Sequence, residues 1–586
     1  MNSMKVQLLA AAAVAGLLGA SSAQAAGANY PSVDLQGNGA SSIIVVLNKT
    51  QNCLGGPNNP IGFGADGSTQ TFPAHNYQPV SPTAGNPAYD CAVKSVQPNV
   101  QYHYVSTGSG GGKTDWSKFT TSAIASNPFT YGSHIQYAFS DSAINSGNLS
   151  DYSSNVPASA GAAIQIPFYV LPIAIAYAPV YGKKNTGSGV QNLSFNVKST
   201  FVVKDGAGNP TGGLRMKKTT YCAIMNGTIT NWNDPALKTD NGGQSLMDPA
   251  DDTTRWNTTG VPIKLVGRND NSGTTNLFTR HLDALTQCNG GQMDTGAGGN
   301  DQLPSGAKST ARYDKQTGAL STGSETAGKF GLVDGSDGIA AVVGQTIATP
   351  GSGATTLGGW LGYVGADWVV PATVGSGSPA LFSAALQAGT GTSFKTPTTA
   401  NAQAAFGTTY LPPQSNSNGT YNPSVTANGN RNYPLDWVLP ATATTKLANP
   451  AAGYPIVGTT NALLYTCYDS TAKRLAVEAL AALQFGKLTK DSTGANIPAA
   501  LVTSTAKGSD GLPIGILPRN GIAPLPGAWK TAIWETFFQK ITSGNNPSSL
   551  GLWIQDKVPT TQAQIDGNLG NGELLSNPSC TSGQGA

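Results

Sequence analysis

The sequence predicts a mixed α/β protein with open sheets flanked by helices, because strand-like apolar runs alternate with stretches of helical periodicity and both are separated by turn-rich polar segments. The runs Ser42 to Leu47, Ile164 to Ala178 and Ile263 to Val266 read as strands. A helix is predicted from about Ser470 to Phe485, with Leu475, Ala479, Leu480 and Leu483 on one face and Gly486 in the terminating position. Another follows Pro526, where Trp529, Ile533, Trp534, Phe537 and Phe538 recur at the spacing of a buried helical face. Three polar stretches, Cys53 to Cys91, Gly290 to Gly328 and roughly Gly351 to Asn432, show little periodicity and read as long loops. No repeat, heptad pattern or charge run is visible.

The 586 residues are 39% hydrophobic, enough for real cores, while only 11% are charged and 73 are glycine. A formal charge of +3 on such a chain provides no basic stripe, so nucleic acid is not an expected partner and any anion must be held by a local pocket. The start of the chain has Lys5, an apolar run from Val6 to Gly19 and a small-residue site at Ala23-Gln24-Ala25, which reads as a secretory signal peptide (residues 1–25) cleaved near Ala25. The run is too short to span a bilayer, so no membrane anchor is expected. The mature protein is placed in the periplasm or outside the cell.

Export permits disulfides, and six cysteines (Cys53, Cys91, Cys222, Cys288, Cys467, Cys580) fit three bridges. Fifteen pairings are arithmetically open. Cys53 and Cys91 bound the same Gly/Pro/Asn-rich segment and are expected to pair. With no Cys-x-x-Cys or Cys/His cluster, no metal site or other cofactor is expected.

The chemistry concentrates in VGRNDNSGTTNLFTRHLDAL (Val266 to Leu285). Ser272, Gly273 and Thr274 precede Leu277, Phe278, His281, Leu282 and Leu285, the apolar face of a helix beginning near Thr274. A first helical turn offers unpaired N–H groups and partial positive charge, an anion site by construction. Gly273 lets the backbone approach closely, and Ser272 and Thr274 add hydroxyl donors. Arg268 brings a planar fork able to contact two oxygens, with Asp270 placed to hold it. An ordinary Ser/Thr cap beside a surface Arg–Asp pair fits the same residues.

In YVSTGSGGGKTDWSKF (Tyr104 to Phe119), Ser109 and a glycine run open another helix. A nucleotide P-loop is excluded by spacing, since residue 107 is Thr where the motif needs Gly. In IQYAFSDSAI, Asp141 ends a strand. A carboxylate beside an anion makes sense if the anion carries a proton: hydrogen phosphate can donate one to Asp141, whereas sulfate would meet a repelling, unpaired charge at a cost on the order of several kcal/mol.

Together with IQIPFYVLPIAIAYAPV, CAIMNGTITNWNDPALK, YPIVGTTNALLYTCY and GIAPLPGAWKTAIWETF, these blocks resemble, in order, the phosphate-binding protein of the bacterial ABC-type phosphate importer. The resemblance spans most of the mature chain. It implies a two-lobed periplasmic-binding-protein fold of type II, each lobe a mixed sheet flanked by helices. Lobe I would comprise residues 26–169 plus 456–586 and lobe II residues 170–455. It also implies that Ser109 donates through its hydroxyl, that Asp141 accepts the phosphate proton, that Arg268 pairs with phosphate oxygens, and that Ser272, Gly273 and Thr274 donate from the helix start. The family's first contact corresponds to Gly37-Asn38-Gly39-Ala40-Ser41-Ser42, with Ser41 keeping a hydroxyl and Ser42 offering its backbone N–H. The family's amphipathic helix after this turn is not legible, and Cys53 to Cys91 stands in its place.

The function expected is non-catalytic capture of inorganic phosphate by a monomer, for uptake through an ABC permease or for scavenging. Two alternatives remain at this point. One is a secreted adhesin or matrix protein with a vestigial pocket, suggested by the long neutral loops. The other is a phosphate-ester hydrolase, which would ordinarily need paired metals, whereas the four histidines (His75, His103, His134, His281) share no spacing. His281 is expected to be a packed core residue and His103 to lie in the strand before Ser109.

Overall fold

The structure is a computed structural model that describes residues 32–55, 63–64, 91, 95–124, 132–204, 208, 210–296, 298–369, 381–407, 410–425, 429–439, 447–498, 500–507, 513–538 and 554–556. The predicted signal peptide and most of the Cys53–Cys91 segment lie outside these residues.

The elements that build the site are, in chain order, β1 (Val33–Gly39), α1 (Ile44–Leu54), β2 (Val100–Ser106), α2 (Gly108–Lys118), β3 (Tyr137–Ser140), β4 (Ala163–Tyr177), β5 (Lys264–Arg268), α3 (Gly273–Asp283), β6 (Phe330–Val333), α4 (Gly335–Val343), β7 (Trp360–Gly365), β8 (Val457–Tyr465) and α5 (Thr471–Gln484). β4 organises them. Its first part runs antiparallel to β8, from Ala163 opposite Tyr465 to Pro172 opposite Val457. Its last five residues, Ile173 to Tyr177, run antiparallel to β7 instead. One strand therefore passes through two half-sheets. In the first half β1 pairs parallel with β2 and β3. In the second, β5 pairs parallel with β6 and β7.

β4 is apolar almost throughout because it is buried on both faces, the pattern of a strand covered by helices. α5 is capped by the Ser470 side chain, which accepts from the Lys473 N–H at 3.3 Å, and Gly486 follows with φ +70°. A second apolar cluster, Val266, Val333, Ile339, Val342, Val343 and Val364, glues α4 to the second half-sheet. No described helix is long and apolar enough to cross a membrane.

Three sequence expectations change. Ser42 to Leu47 is not a strand: after a turn at 41–43 the chain enters α1, so a helix does follow the Gly37–Ser42 turn. Ten of its eleven residues are buried, and a helix covered all round loses the 3.6-residue pattern while its β-branched run mimics a strand. The stretch from 290 to 328 contains strands Lys308–Tyr313 and Leu320–Thr322. That from 351 to 432 contains β7, the strand Phe382–Gln387 and a helix at Thr399–Phe406. Glycine and serine between apolar positions hid their alternation. Cys53 pairs with Cys91 and Cys222 with Cys288, and Cys467 is also disulfide-bonded. His281 is buried between Tyr221 and the Ala448 carbonyl, and His103 lies in β2.

Candidate anion-binding site

The parallel strands of both half-sheets deliver their carboxyl ends to one cleft. β1, β2 and β3 end shortly before Ser41–Ser42, Ser109 and Asp141; β5 ends at Arg268 and β6 shortly before Ser336. Helices α1, α2, α3 and α4 begin there, so their positive ends face the same space, the usual location of ligands in open α/β sheets. Gly39 makes the first turn possible: its φ is +128°, and a Cβ there would lie 2.0 Å from the Phe139 carbonyl oxygen.

All the residues singled out in the sequence converge. Ser41, Ser42, Ser109, Asp141, Arg268, Ser272 and Thr274 are each no more than 2% exposed. Asp141 is the centre of the first wall. Its Oδ2 accepts the Ser42 hydroxyl and, from the other half-sheet, the Thr274 hydroxyl at 3.0 Å. Its Oδ1 accepts the Thr460 hydroxyl at 2.8 Å, and its backbone N–H donates to Ser109 Oγ at 3.1 Å. A carboxylate has about four acceptor positions, so these three donors leave room for one more, the O–H that a protonated guest would bring. Burial raises the Asp141 pKa above the ordinary carboxylate value, against the opposing pull of the three hydroxyls and Arg268.

Arg268 dominates the second wall. Its Nε and Nη2 grip Asp270 at 2.7 and 2.5 Å, and Nη1 donates to Ser336 Oγ at 3.2 Å. The Gly335 N–H, at the start of α4, donates to Asp270 at 3.1 Å. Burial alone would raise the Asp270 pKa, but the charge and hydrogen bonds of Arg268 outweigh it and hold the carboxyl below its ordinary value. Ser272 caps α3, its Oγ accepting from the Thr275 N–H at 3.2 Å. Gly273 sits where the walls meet: a Cβ there would lie 2.5 Å from Ser109 Oγ and 2.4 Å from the Ser142 nitrogen.

Several site residues escape sequence reading. Ser336, at the start of α4, donates its N–H to Ser41 Oγ at 3.0 Å and so joins both walls. Its signal was present: Gly335-Ser336 stands before the helical spacing of Ile339, Val342 and Val343. Thr460 lies mid-strand in β8, inside the block YPIVGTTNALLYTCY but at no strand end or helix start. Asp367, in a short turn after β7, accepts the Val46 N–H at 3.4 Å and thus caps α1 from the opposite half-sheet, where the N-cap residue Ile43 supplies no side-chain bond. Among the described residues no group of three or more His, Cys, Asp or Glu is placed to hold a metal ion.

A cleft walled by two half-sheets, with helix starts and hydroxyls on both sides and a shared crossing strand, defines a two-lobed α/β binding protein. Comparison with known proteins agrees: residues 83–435 match the PBP superfamily domain, and the chain belongs to that superfamily. It is 27% identical over 452 residues to alkaline phosphatase L of Pseudomonas aeruginosa, covering 77% of this chain and 85% of that protein. It is 24% identical over 459 residues to a phosphate-binding protein of unknown prokaryotic origin, covering 76% and 90% of the two. Among solved structures, the ancestral soluble variant of the human phosphate-binding protein aligns with a TM-score of 0.50 at 18% identity, covering 90% of this chain and all of that one, a likeness of fold.

Proposed function

We propose that this chain is an exported solute-binding protein that captures hydrogen phosphate between two lobes, without catalysis and without a cofactor. Lobe I comprises residues 26–169 and 456–586 and lobe II residues 170–455, with the hinge where β4 passes from one half-sheet into the other. Ser41, Ser42, Ser109, Ser272, Gly273 and Thr274 donate to the ion, Arg268 binds its oxygens, Asp270 steadies Arg268, and Asp141 accepts the ion's proton. The protein acts as a monomer in the periplasm or outside the cell and delivers phosphate to an ABC-type permease or retains it in scavenging. The names of its relatives favour phosphate over a generic oxyanion.

The observation that carries this reading is Asp141, a buried carboxylate that receives hydroxyls from both half-sheets and stands opposite Arg268. A fully deprotonated tetrahedral anion would place a bare oxygen against it; hydrogen phosphate places a donor there. Calorimetry of the mature protein should show one phosphate per chain and no heat with sulfate. Equal affinity for the two ions would remove the role given to Asp141.

The relative named alkaline phosphatase L favours a second reading, phosphate-ester hydrolysis in the same pocket. Incubation with a chromogenic phosphate ester separates the two. The binding reading expects no release above background; reproducible turnover lost in Ser41→Ala would establish the hydrolase.

A further inference from the structure

Lys113 belongs to the Gly-Gly-Gly-Lys-Thr run that looked like a nucleotide motif and is not one. In the structure it reaches across the cleft. Its Nζ lies 2.8 Å from Asp301 Oδ2 and donates to Ser142 Oγ at 2.8 Å. The Ser142 hydroxyl in turn donates to the same Asp301 oxygen at 3.1 Å. The ion pair is largely withdrawn from water, with side-chain exposures of 10% and 22%. Lys113 and Ser142 belong to the first half-sheet's side of the cleft, Asp301 to the second, 188 residues from Lys113 in the chain.

Each member is tied to a pocket residue. Lys113 sits one turn after Ser109 on α2. Ser142 follows Asp141. The Asp301 carbonyl accepts the Ser272 N–H at 2.8 Å, so Asp301 backs the capping residue of α3 directly. Beside this triangle the Gly110 N–H donates to the Asn271 carbonyl at 2.9 Å, a second bond between α2 and the opposite wall. The triangle therefore completes itself in the same geometry that brings Ser109, Asp141 and Ser272 together, and it is broken by any opening that separates them.

Resting on the reading of the pocket as a phosphate site, we infer that Lys113, Ser142 and Asp301 form a clasp across the cleft that sets how long the anion stays bound. They are positioning residues: none is assigned a contact with the ion. Their bonds exist only between closed lobes, so they stabilise the bound state and not the open one, and their loss is felt in dissociation. Lys113→Met keeps the apolar stem and removes the charge; Asp301→Asn keeps the shape and removes the opposite one.

The experiment loads the mature protein with radiolabelled phosphate and follows its release into excess unlabelled phosphate, for wild type, both single variants and the double variant. Each single variant should release at least about fivefold faster, and the double variant no more than about twice as fast as either, because one shared interaction can be lost only once. A smaller acceleration in either single variant, or a double-variant rate equal to the product of the single effects, overturns the clasp. So does a fall in the melting temperature of the phosphate-free protein that accounts for the faster release, since it would assign the pair to ordinary folding stability. A wild-type chain that retains no labelled phosphate fails the reading of the pocket itself and takes the clasp with it.

Discussion

The two walls of the cleft solve the same problem with opposite electrostatics. The wall from the first half-sheet carries a carboxylate, Asp141, held by hydroxyls. The wall from the second carries a guanidinium, Arg268, whose charge is already matched by Asp270. Neither wall offers a surplus of positive charge, so an anion there is stabilised by oriented N–H and O–H dipoles more than by a formal counter-charge. On the proposed reading the contrast divides the labour: the Arg268 wall would supply attraction, and the Asp141 wall would supply choice.

Breaking the attracting wall should have the largest effect. Arg268→Ala removes the guanidinium and strands Asp270 in a partly buried position, and phosphate affinity measured by calorimetry is expected to fall by about a hundredfold. An unchanged titration would refute the role. Breaking the choosing wall should act on selectivity instead: Asp141→Asn turns an obligate acceptor into a group that also donates, and the preference for phosphate over sulfate should shrink by at least about tenfold. Competition between the two ions reads this directly; a preserved ratio would show that Asp141 does not discriminate. Ser336→Ala removes a hydroxyl bonded to Arg268 and Ser41, and a loss of about threefold to tenfold is expected in the same titration.

The smallest effects, in the stability of the phosphate-free protein, sharpen the contrast through their opposite signs. The folded Asp141 carboxyl keeps its proton to higher pH than the unfolded one. The cost of ionising it is therefore absent below the ordinary carboxylate range and grows as pH rises from there through the raised folded value. Asp270 is depressed, so its contribution is present above the unfolded value and is lost as pH falls through the folded one. Melting temperatures across acid and neutral pH should show Asp141→Asn gaining on wild type as pH rises, and Asp270→Asn losing to it over the same direction. Parallel slopes for the two variants would remove the distinction between the walls.

Much of this was legible in the chain because the site is built from strand ends and helix starts, which leave local marks. Ser109, Asp141, Arg268 and Ser272 to Thr274 each stand at such a junction, and the structure brings them together. Ser336 stands at one too and could have been found. Thr460, Asp367 and the Lys113–Asp301 pair could not, since their partners lie 319, 321 and 188 residues away and nothing local records the meeting. The start of α1 reads as a strand for a related reason: burial on every side removes the amphipathic signal on which a helix is recognised. The alternation of strands and helices elsewhere in the chain is sufficient to fix the fold class.

The position of β8 bears on how the molecule comes to exist. It fills the middle of the first half-sheet, between β3 and β4, yet nearly three hundred residues separate its start at Val457 from the end of β4 at Tyr177. Such a sheet cannot close until the chain has emerged from the ribosome as far as Tyr465 of its 586 residues, and contacts so distant in sequence form slowly. A nascent chain that stays open this long remains threadable, the condition that the proposed export would impose before passage across a membrane.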